Sequence, residues 1–313
     1  MKINQMKKDE FFEGFYLIKT AEVRQTRAGK DYLALTFQDE TGEIEGKLWD
    51  AQPGKIKDFT AGTVVHMQGR REVYNNTPQV NQLVLRLPKA GEPNDPADFK
   101  EKPPVDVKDT KDYLNQMIFL IENATWQRIV RALYGKYEKE FYSYPAAKTN
   151  HHAFYSGLSF HTATMVRLAD KIGDIYPQLN KSLLFAGIML HDLAKVIELT
   201  GPDNTGYTVR GNLIGHISLI DEEITKVLME LGIDDSLEEV TVLRHVILSH
   251  HGLLEYGSPV RPQIMEAEIL HMIDNIDAEM MMMLSALDKV GPGEMTNRIF
   301  AMENRAFYKP NLD

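Results

Sequence analysis

The spacing of apolar residues changes character along the chain, and this change predicts two domains of different class. In the first part, apolar and polar positions alternate: Leu33, Leu35 and Phe37 are separated by single residues, which is the period of a strand with one buried face. In the second part, apolar residues such as Ile129 and Leu133 recur at helical spacing. We therefore predict an all-β domain followed by an all-α domain.

The alternating part predicts a small closed barrel over residues 1–88. Five short strands are expected there, with a gap that can hold a helix after the third, which is typical of the oligonucleotide/oligosaccharide-binding (OB) barrel. Residues 89–108 contain four prolines and many charges, and they predict a semi-stiff linker. The remainder, 109–313, predicts a bundle of about eight or nine helices. One of them is expected to start with a capping box at Ser236.

The predicted second and third strands carry a candidate surface for single-stranded nucleic acid. In an OB barrel these strands hold the ligand, and their outward positions include Tyr32, Lys47 and Trp49. Aromatic rings stack on bases and lysine contacts phosphates, so the set favours a single strand as ligand. Lys30 and Arg27, at the first turn, add positive charge. The alternative is that Tyr32 and Trp49 cap the end of the barrel or contact the second domain.

Composition limits the classes of protein that remain. The absence of cysteine excludes disulfides, thiolate metal sites and cysteine nucleophiles, and it is typical of a reducing cytosol. A net charge of -10 provides no global attraction for nucleic acid, so any such contact needs a local patch. No apolar run approaches the roughly 18 residues that cross a membrane, and the first eight residues do not resemble a signal peptide. We expect a cytoplasmic protein without a membrane partner.

Histidines are concentrated in the helical part, and several lie at the ends of helices that face the core. Nine of the ten lie at or beyond position 151. His191-Asp192 follows the apolar run 183–190, where burying the pair is costly unless something binds it. A single such histidine is more often a hydrogen-bonded core residue, but several of them favour a metal site. Nitrogen and oxygen ligands without sulfur favour Mn²⁺, Fe²⁺, Mg²⁺ or Co²⁺, and Zn²⁺ is compatible.

The order of these histidines and aspartates, with the string His-Asp-Leu-Ala-Lys at 191–195, resembles the HD phosphohydrolase superfamily. In members with the fuller ligand set, two metals share the aspartate of the His-Asp pair. The resemblance implies that the first metal is held by His161, His191, Asp192 and Asp274, and the second by Asp192, His216, His250 and His251.

Four further polar residues have more than one interpretation. Asp277, one helical turn after the last proposed ligand, either replaces it, contacts substrate or supports another ligand. Lys195 shares a helical face with the His-Asp pair, and we favour a role as a point charge on a substrate phosphate over a solvated charge. Arg210 is a weaker phosphate candidate. His152 is either structural or reaches the mouth of the site.

The expected reaction is phosphoester or phosphodiester hydrolysis, because two metals can polarise a phosphodiester and activate water. An OB-like domain beside such a site favours a single-stranded nucleic acid as substrate. The whole chain resembles the bacterial YhaM family of 3′→5′ exoribonucleases, through the strings RAGKDYLALTFQDETG (27–42), KLWD (47–50), NHHAFYSGL (150–158) and ENRAFYKP (303–310). The resemblance implies Mn²⁺-dependent trimming of RNA from its 3′ end, with single-stranded DNA as a further substrate.

Two other functions fit the same sequence. One is an HD phosphodiesterase or phosphatase for a small nucleotide, with a regulatory barrel. The other is a non-catalytic nucleic-acid-binding protein with a structural metal site. The run Met280–Met283 predicts either core filling or a subunit interface, and the family resemblance favours a homo-oligomer.

Overall fold

The structure is a computed structural model, and its two compact units, Met1–Lys102 and Pro103–Asp313, are each described by themselves. The described residues are 1–26, 28–49, 53–74, 77–100, 105–148, 152, 154–202 and 205–312, without the side chains of 53, 55 and 77. Arg27, which we expected near the nucleic-acid surface, lies outside these residues. Among the described helices, none is long and apolar enough to cross a membrane.

The first unit is a closed five-stranded barrel, as predicted. The strands are β1 (Phe11–Gln25), β2 (Asp31–Asp39), β3 (Gly42–Leu48), β4 (Val64–Tyr74) and β5 (Thr77–Arg86), and helix α1 (Pro53–Asp58) lies between β3 and β4. They pair in the order β1-β2-β3-β5-β4, and β1 closes the barrel against β4. Only the pairing of β3 with β5 is parallel among the described strands. The alternation along β2 arises because Leu33, Leu35 and Phe37 fill the barrel interior.

A short segment after the last strand packs against the barrel. Residues Pro96–Phe99 form a 3-10 helix, capped by the carboxylate of Asp95. Phe99 is buried against Leu17 and Val64, and its carbonyl accepts a hydrogen bond from Gln38 Nε2 at 3.3 Å. This segment falls within the predicted linker 89–108, whose limits stay a prediction.

The second unit is all-α, which confirms the predicted class. Its helices are α2 (Val107–Phe119), α3 (Ala124–Phe141), α4 (Gly157–Ile175), α5 (Lys181–Leu190), α6 (Lys195–Glu198), α7 (Val209–Ile214), α8 (His216–Leu231), α9 (Glu238–Leu248) and α10 (Met265–Leu287). Helix α5 packs against α3, α4, α9 and α10, and every residue from Leu183 to Leu190 is buried. A helix surrounded in this way has no polar face, which explains the uninterrupted apolar run.

Two local predictions are corrected. Ser236 does not cap α9: the helix begins at Glu238 without a side-chain cap, and the Ser236 N–H and hydroxyl both donate to Asp234 Oδ1, at 2.9 and 2.8 Å. The nearby carboxylate is the stronger acceptor and holds the serine in a turn. Met280–Met283 do not fill the core of this unit, because none is buried and Met280 is 47% exposed. Their role in a subunit interface stays a prediction.

Gly187 allows α5 to approach α9 closely. A Cβ atom at this position would lie 2.5 Å from Val246 Cγ1 and 3.2 Å from Leu270 Cδ1, which is closer than carbon atoms pack. The contact fixes the end of α5, where His191 and Asp192 follow, against the helix that precedes His250. The glycine is therefore a packing requirement of the region where the histidines meet.

We expect Gly187→Ala to lower the free energy of unfolding by about 1–3 kcal/mol, because overpacking outweighs the gain of about 1 kcal/mol in helix propensity. Urea denaturation followed by circular dichroism measures this. Val246→Ala removes the atom that the new methyl group would meet. The double variant should therefore lose less unfolding free energy than the two single variants added together, by at least about 0.5 kcal/mol. Strict additivity would contradict the proposed contact.

Candidate metal centre

Histidines and aspartates from several helices converge in the second unit. They lie near the start of α4 (His161), directly after α5 (His191 and Asp192), at the start of α8 (His216), directly after α9 (His250 and His251) and within α10 (Asp274). Ring centroids are 5.5 Å apart for His161 and His191, and 5.0 Å apart for His191 and His250. The structure thus brings together the residues that the resemblance to the HD superfamily implies as ligands.

Asp192 lies at the centre of this cluster, and its two carboxylate oxygens face different histidines. Oδ2 is 3.4 Å from His191 Nε2 and 3.7 Å from His161 Nε2. Oδ1 is 3.4 Å from His216 Nε2 and 3.9 Å from His250 Nε2. A carboxylate placed between two groups of nitrogen ligands can bridge two metal ions.

Several buried atoms of the cluster have no hydrogen-bond partner among the described residues. They are the Nε2 atoms of His191, His216 and His250 and the Oδ1 atom of Asp192. Leaving such an atom unsatisfied costs about 1–3 kcal/mol. Ligand atoms within 4.8 Å of one another occur in three sets of described residues: His216/His250/His251, His161/His191/Asp192 and His152/His161/Asp277. The donors therefore fit divalent cations, which would satisfy the orphaned atoms.

Each of these histidines is oriented through its Nδ1 atom. Three rings donate to main-chain carbonyls: His191 to Ile188 at 2.7 Å, His250 to Ile247 at 2.7 Å and His251 to Tyr256 at 2.6 Å. A neutral ring that carries its proton on Nδ1 keeps its lone pair on Nε2. These bonds therefore present Nε2 as the metal ligand.

The other two histidines are backed by carboxylates. His161 Nδ1 donates to Asp277 Oδ2 at 2.7 Å, and His216 Nδ1 donates to Glu198 Oε1 at 3.1 Å. A carboxylate behind an imidazole fixes the ring and makes it a stronger ligand. Sequence reasoning missed Glu198, because it ends α6 and His216 starts α8, so no single helix relates the two residues.

The electrostatics of the site favour the metal-binding protonation states of Asp192 and His250, but they favour the protonated ring of His161. Burial raises the pKa of Asp192, but the charges of Lys195 and His191 bring it well below its usual range. Burial and the neighbouring histidines lower the pKa of His250 well below its ordinary value. Burial alone would lower the pKa of His161, but Asp274 and Asp277 raise it to about 10. Metal binding at His161 Nε2 therefore competes with a proton.

Asp274 and Asp277 occupy different sides of His161. Asp274 Oδ1 lies 3.3 Å from Nε2, on the side of Asp192, and its side chain is 19% exposed. Asp277 lies on the Nδ1 side, and its Oδ2 also accepts from His152 Nε2 at 2.6 Å. This geometry favours Asp274 as the last ligand and puts Asp277 and His152 behind His161. Their predicted contacts with substrate stay predictions.

The two predicted phosphate-binding cations are engaged with carboxylates. Lys195 Nζ lies 2.6 Å from Asp192 Oδ2, so its charge is next to the central carboxylate. Arg210, in α7, is partly exposed, and its Nη2 lies 2.6 Å from Glu222 Oε2. Lys195 is thus within the cluster of histidines and aspartates, whereas Arg210 belongs to a surface ion pair. Phosphate contact by either residue stays a prediction.

The predicted nucleic-acid surface forms an aromatic pair on the outside of the barrel. The rings of Tyr32 and Trp49 have centroids 4.9 Å apart and planes inclined by 36°. Lys47 Nζ lies 6.0 Å from the centre of the Trp49 ring. Trp49 is 55% exposed, so it is not part of the barrel core. Lys30 is exposed just before β2.

Residues 159–279 match the family described as the HD domain. The matched segment includes all the proposed ligands, from His161 to Asp274, together with Asp277. The helical unit therefore contains an HD domain, which follows a five-stranded barrel. An HD domain implies a metal-dependent phosphohydrolase, and the His/Asp clusters are suited to divalent ions.

Mn²⁺ should stabilise the helical unit through this cluster. At a concentration one hundred times its Kd, a ligand adds about 2.7 kcal/mol, which corresponds to a rise of about 5–10 °C in Tm. Differential scanning calorimetry with and without a chelator measures the shift, and Asp192→Asn should reduce it strongly. Asp221→Asn is a matched control, because Asp221 bonds Arg244 outside the cluster. An undiminished shift in Asp192→Asn would place Mn²⁺ elsewhere.

Proposed function

We propose that this protein is a metal-dependent 3′→5′ exonuclease of the YhaM type, which hydrolyses single-stranded RNA in the cytoplasm and accepts single-stranded DNA. One observation carries the proposal: the same chain holds an Asp192-centred metal cluster in an HD domain and an exposed Tyr32–Trp49 pair on a barrel. The cluster supplies the hydrolytic chemistry, and the aromatic pair supplies a surface for unpaired bases.

The residues of the cluster have distinct tasks in this proposal. His161, His191 and Asp274 would hold one divalent ion, His216, His250 and His251 would hold the other, and Asp192 would serve both positions. The ions, Mn²⁺ as the first choice, would supply Lewis-acid polarisation of the phosphodiester and an activated water. Lys195 Nζ, 2.6 Å from the Asp192 carboxylate, is placed to bring a positive charge to a phosphate that reaches the cluster.

A net charge of -10 means that the strand has to be held locally. Stacking on Tyr32 and Trp49 needs unpaired bases, because the faces of paired bases are covered by their neighbours in a duplex. Lys47, next to Trp49, adds a phosphate contact. The preference for single strands follows from this surface, whereas the preference for RNA and the 3′→5′ direction rest on the resemblance to the YhaM family.

A labelled substrate tests the proposed reaction. With Mn²⁺, 5′-labelled single-stranded RNA should give a ladder that shortens from the 3′ end, and a chelator should stop it. Asp192→Ala should lower the rate by at least about 100-fold, because the carboxylate belongs to both metal positions. Denaturing gel electrophoresis measures the products.

Two further assays distinguish the other two functions from the proposed exonuclease. Failure to cleave RNA with any divalent metal, together with turnover of a cyclic dinucleotide or nucleotide by the full chain, would identify a small-nucleotide phosphodiesterase. Unchanged biological activity in folded His191→Ala and Asp192→Ala variants would identify a binding protein with a structural metal.

Trp49→Ala should weaken binding to long strands more than it slows hydrolysis of a very short one. One lost base stack costs about 1–3 kcal/mol, which is about 5- to 150-fold in Kd. Fluorescence anisotropy with a labelled oligonucleotide measures the affinity. Phe11→Ala is a matched control, because Phe11 is an exposed aromatic residue that pairs with β4 rather than β2. Equal effects of Trp49→Ala on both strand lengths would contradict the proposed stacking surface.

A further inference from the structure

A second buried carboxylate, that of Asp277, hydrogen-bonds to two histidines, of which one belongs to the proposed ligand set and the other does not. Its Oδ2 atom accepts from His161 Nδ1 at 2.7 Å and from His152 Nε2 at 2.6 Å. The three side chains are almost completely buried, with exposures of 4% for Asp277, 1% for His161 and 0% for His152. The carboxylate therefore links a proposed metal ligand to a histidine outside the ligand set.

The backbone around His152 is built at a conformational cost. His152 and Ser156 have φ values of 52° and 63°, in the left-handed region that residues other than glycine seldom adopt. Such conformations persist only where the surroundings fix them, and they are concentrated at functional sites. Here, Ser156 Oγ donates to Tyr142 O at 2.6 Å, and the carbonyl of His152 accepts from Ala146 N at 3.0 Å.

Close packing against α4 also fixes this loop. A Cβ atom on Gly157, the first residue of α4, would lie 2.0 Å from the carbonyl oxygen of His152. The main chain of His152 is therefore pressed against the start of the helix that carries His161. This contact holds the main chain from which the imidazole of His152 reaches Asp277.

The other metal position has an equivalent carboxylate. Glu198 Oε1 accepts from both the main-chain N–H and Nδ1 of His216, at 3.1 Å each. In the described part of the cluster, one carboxylate thus lies behind each metal position, Asp277 behind His161 and Glu198 behind His216. The difference is that Asp277 also bonds a second histidine.

We propose that Asp277 and His152 are positioning residues that hold His161 with Nε2 towards the metal cluster and thereby set the affinity of one metal position. Asp277 fixes the ring of His161 and makes its Nε2 a stronger metal ligand, and His152 holds the carboxylate of Asp277 in place. The inference rests on the proposed metal-dependent hydrolase. It gives both residues a role behind the ligand, which is an alternative to the substrate contacts that the sequence suggested.

Calorimetric titration of the full-length protein with Mn²⁺ tests this inference without reference to any substrate. Asp277→Asn keeps the shape of the side chain and removes its charge, so we expect the Kd of one metal position to rise by about 10- to 100-fold. The other position should stay within about twofold, since its own carboxylate, Glu198, is intact. Glu198→Gln should produce the reverse pattern, and Asp221→Asn should change neither position.

Two substitutions at His152 separate the effect of its N–H donor from the effect of its ring. His152→Gln retains an N–H donor near the position of Nε2, whereas His152→Phe retains the ring and loses the donor. We expect His152→Phe to weaken the same metal position as Asp277→Asn, and His152→Gln to restore part of the affinity. Equal loss in both variants, with reduced helical circular dichroism, would show only a structural role and would overturn the inference.

Kinetics with a short oligonucleotide separate positioning from substrate binding. If Asp277 acts through His161, excess Mn²⁺ should return the kcat of Asp277→Asn to within a few-fold of wild type, with KM unchanged. A raised KM that Mn²⁺ does not restore, or unchanged Mn²⁺ affinities, would overturn the inference. A protein that shows the expected shifts in Mn²⁺ affinity but cleaves no nucleic acid would retain the positioning pair and lose the proposed nuclease function.

Discussion

The burial of the Asp192 carboxylate is the constraint on which the helical unit depends. An ionised carboxylate in an apolar core is unstable unless opposite charges and polar atoms surround it. Lys195 lies 2.6 Å away, and the nearest imidazole nitrogens lie at 3.4 Å. These groups come from different helices, so their packing must hold several helix ends together. Gly187, where α5 approaches α9, shows how closely the backbone has to pack.

Helical periodicity alone predicted that several histidines lie at the ends of core-facing helices, whereas their assignment as a ligand set rests on the resemblance to the HD superfamily. His191 and Asp192 follow a buried helix, and His250 follows the buried face of α9. Their supporting groups were harder to predict. Glu198 reaches His216 only because the intervening chain folds back, with Thr208 N donating to the Glu198 carbonyl at 2.8 Å. Contacts made by a returning loop have no sequence period.

In the barrel, too, contacts that repeat along a strand could be predicted from the sequence, whereas an isolated contact could not. Strand β2 was predictable because three alternating side chains fill the interior. The 3-10 helix that carries Phe99 was not, because one buried aromatic residue in a proline-rich segment produces no period. Ser236 shows a third limit: its sequence matches a capping box, yet the carboxylate of Asp234 competes successfully for its donors. Whether a serine caps a helix therefore depends on which hydrogen-bond acceptor lies nearest to its N–H and hydroxyl groups.

The two units differ in how they can select a substrate. Metal ions recognise the phosphodiester group, which RNA, DNA and nucleotides share, so the cluster alone offers little selectivity. Trp49 is 55% exposed and lies beside Lys47, but Glu43 and Glu45 are also exposed on β3. These two carboxylates offset the charge of Lys47, so the proposed contact with a single strand relies on stacking as well as on charge. Since stacking requires unpaired bases, the proposed function assigns selection of single strands to the barrel and assigns to the Asp192 cluster a phosphodiester chemistry with little selectivity of its own.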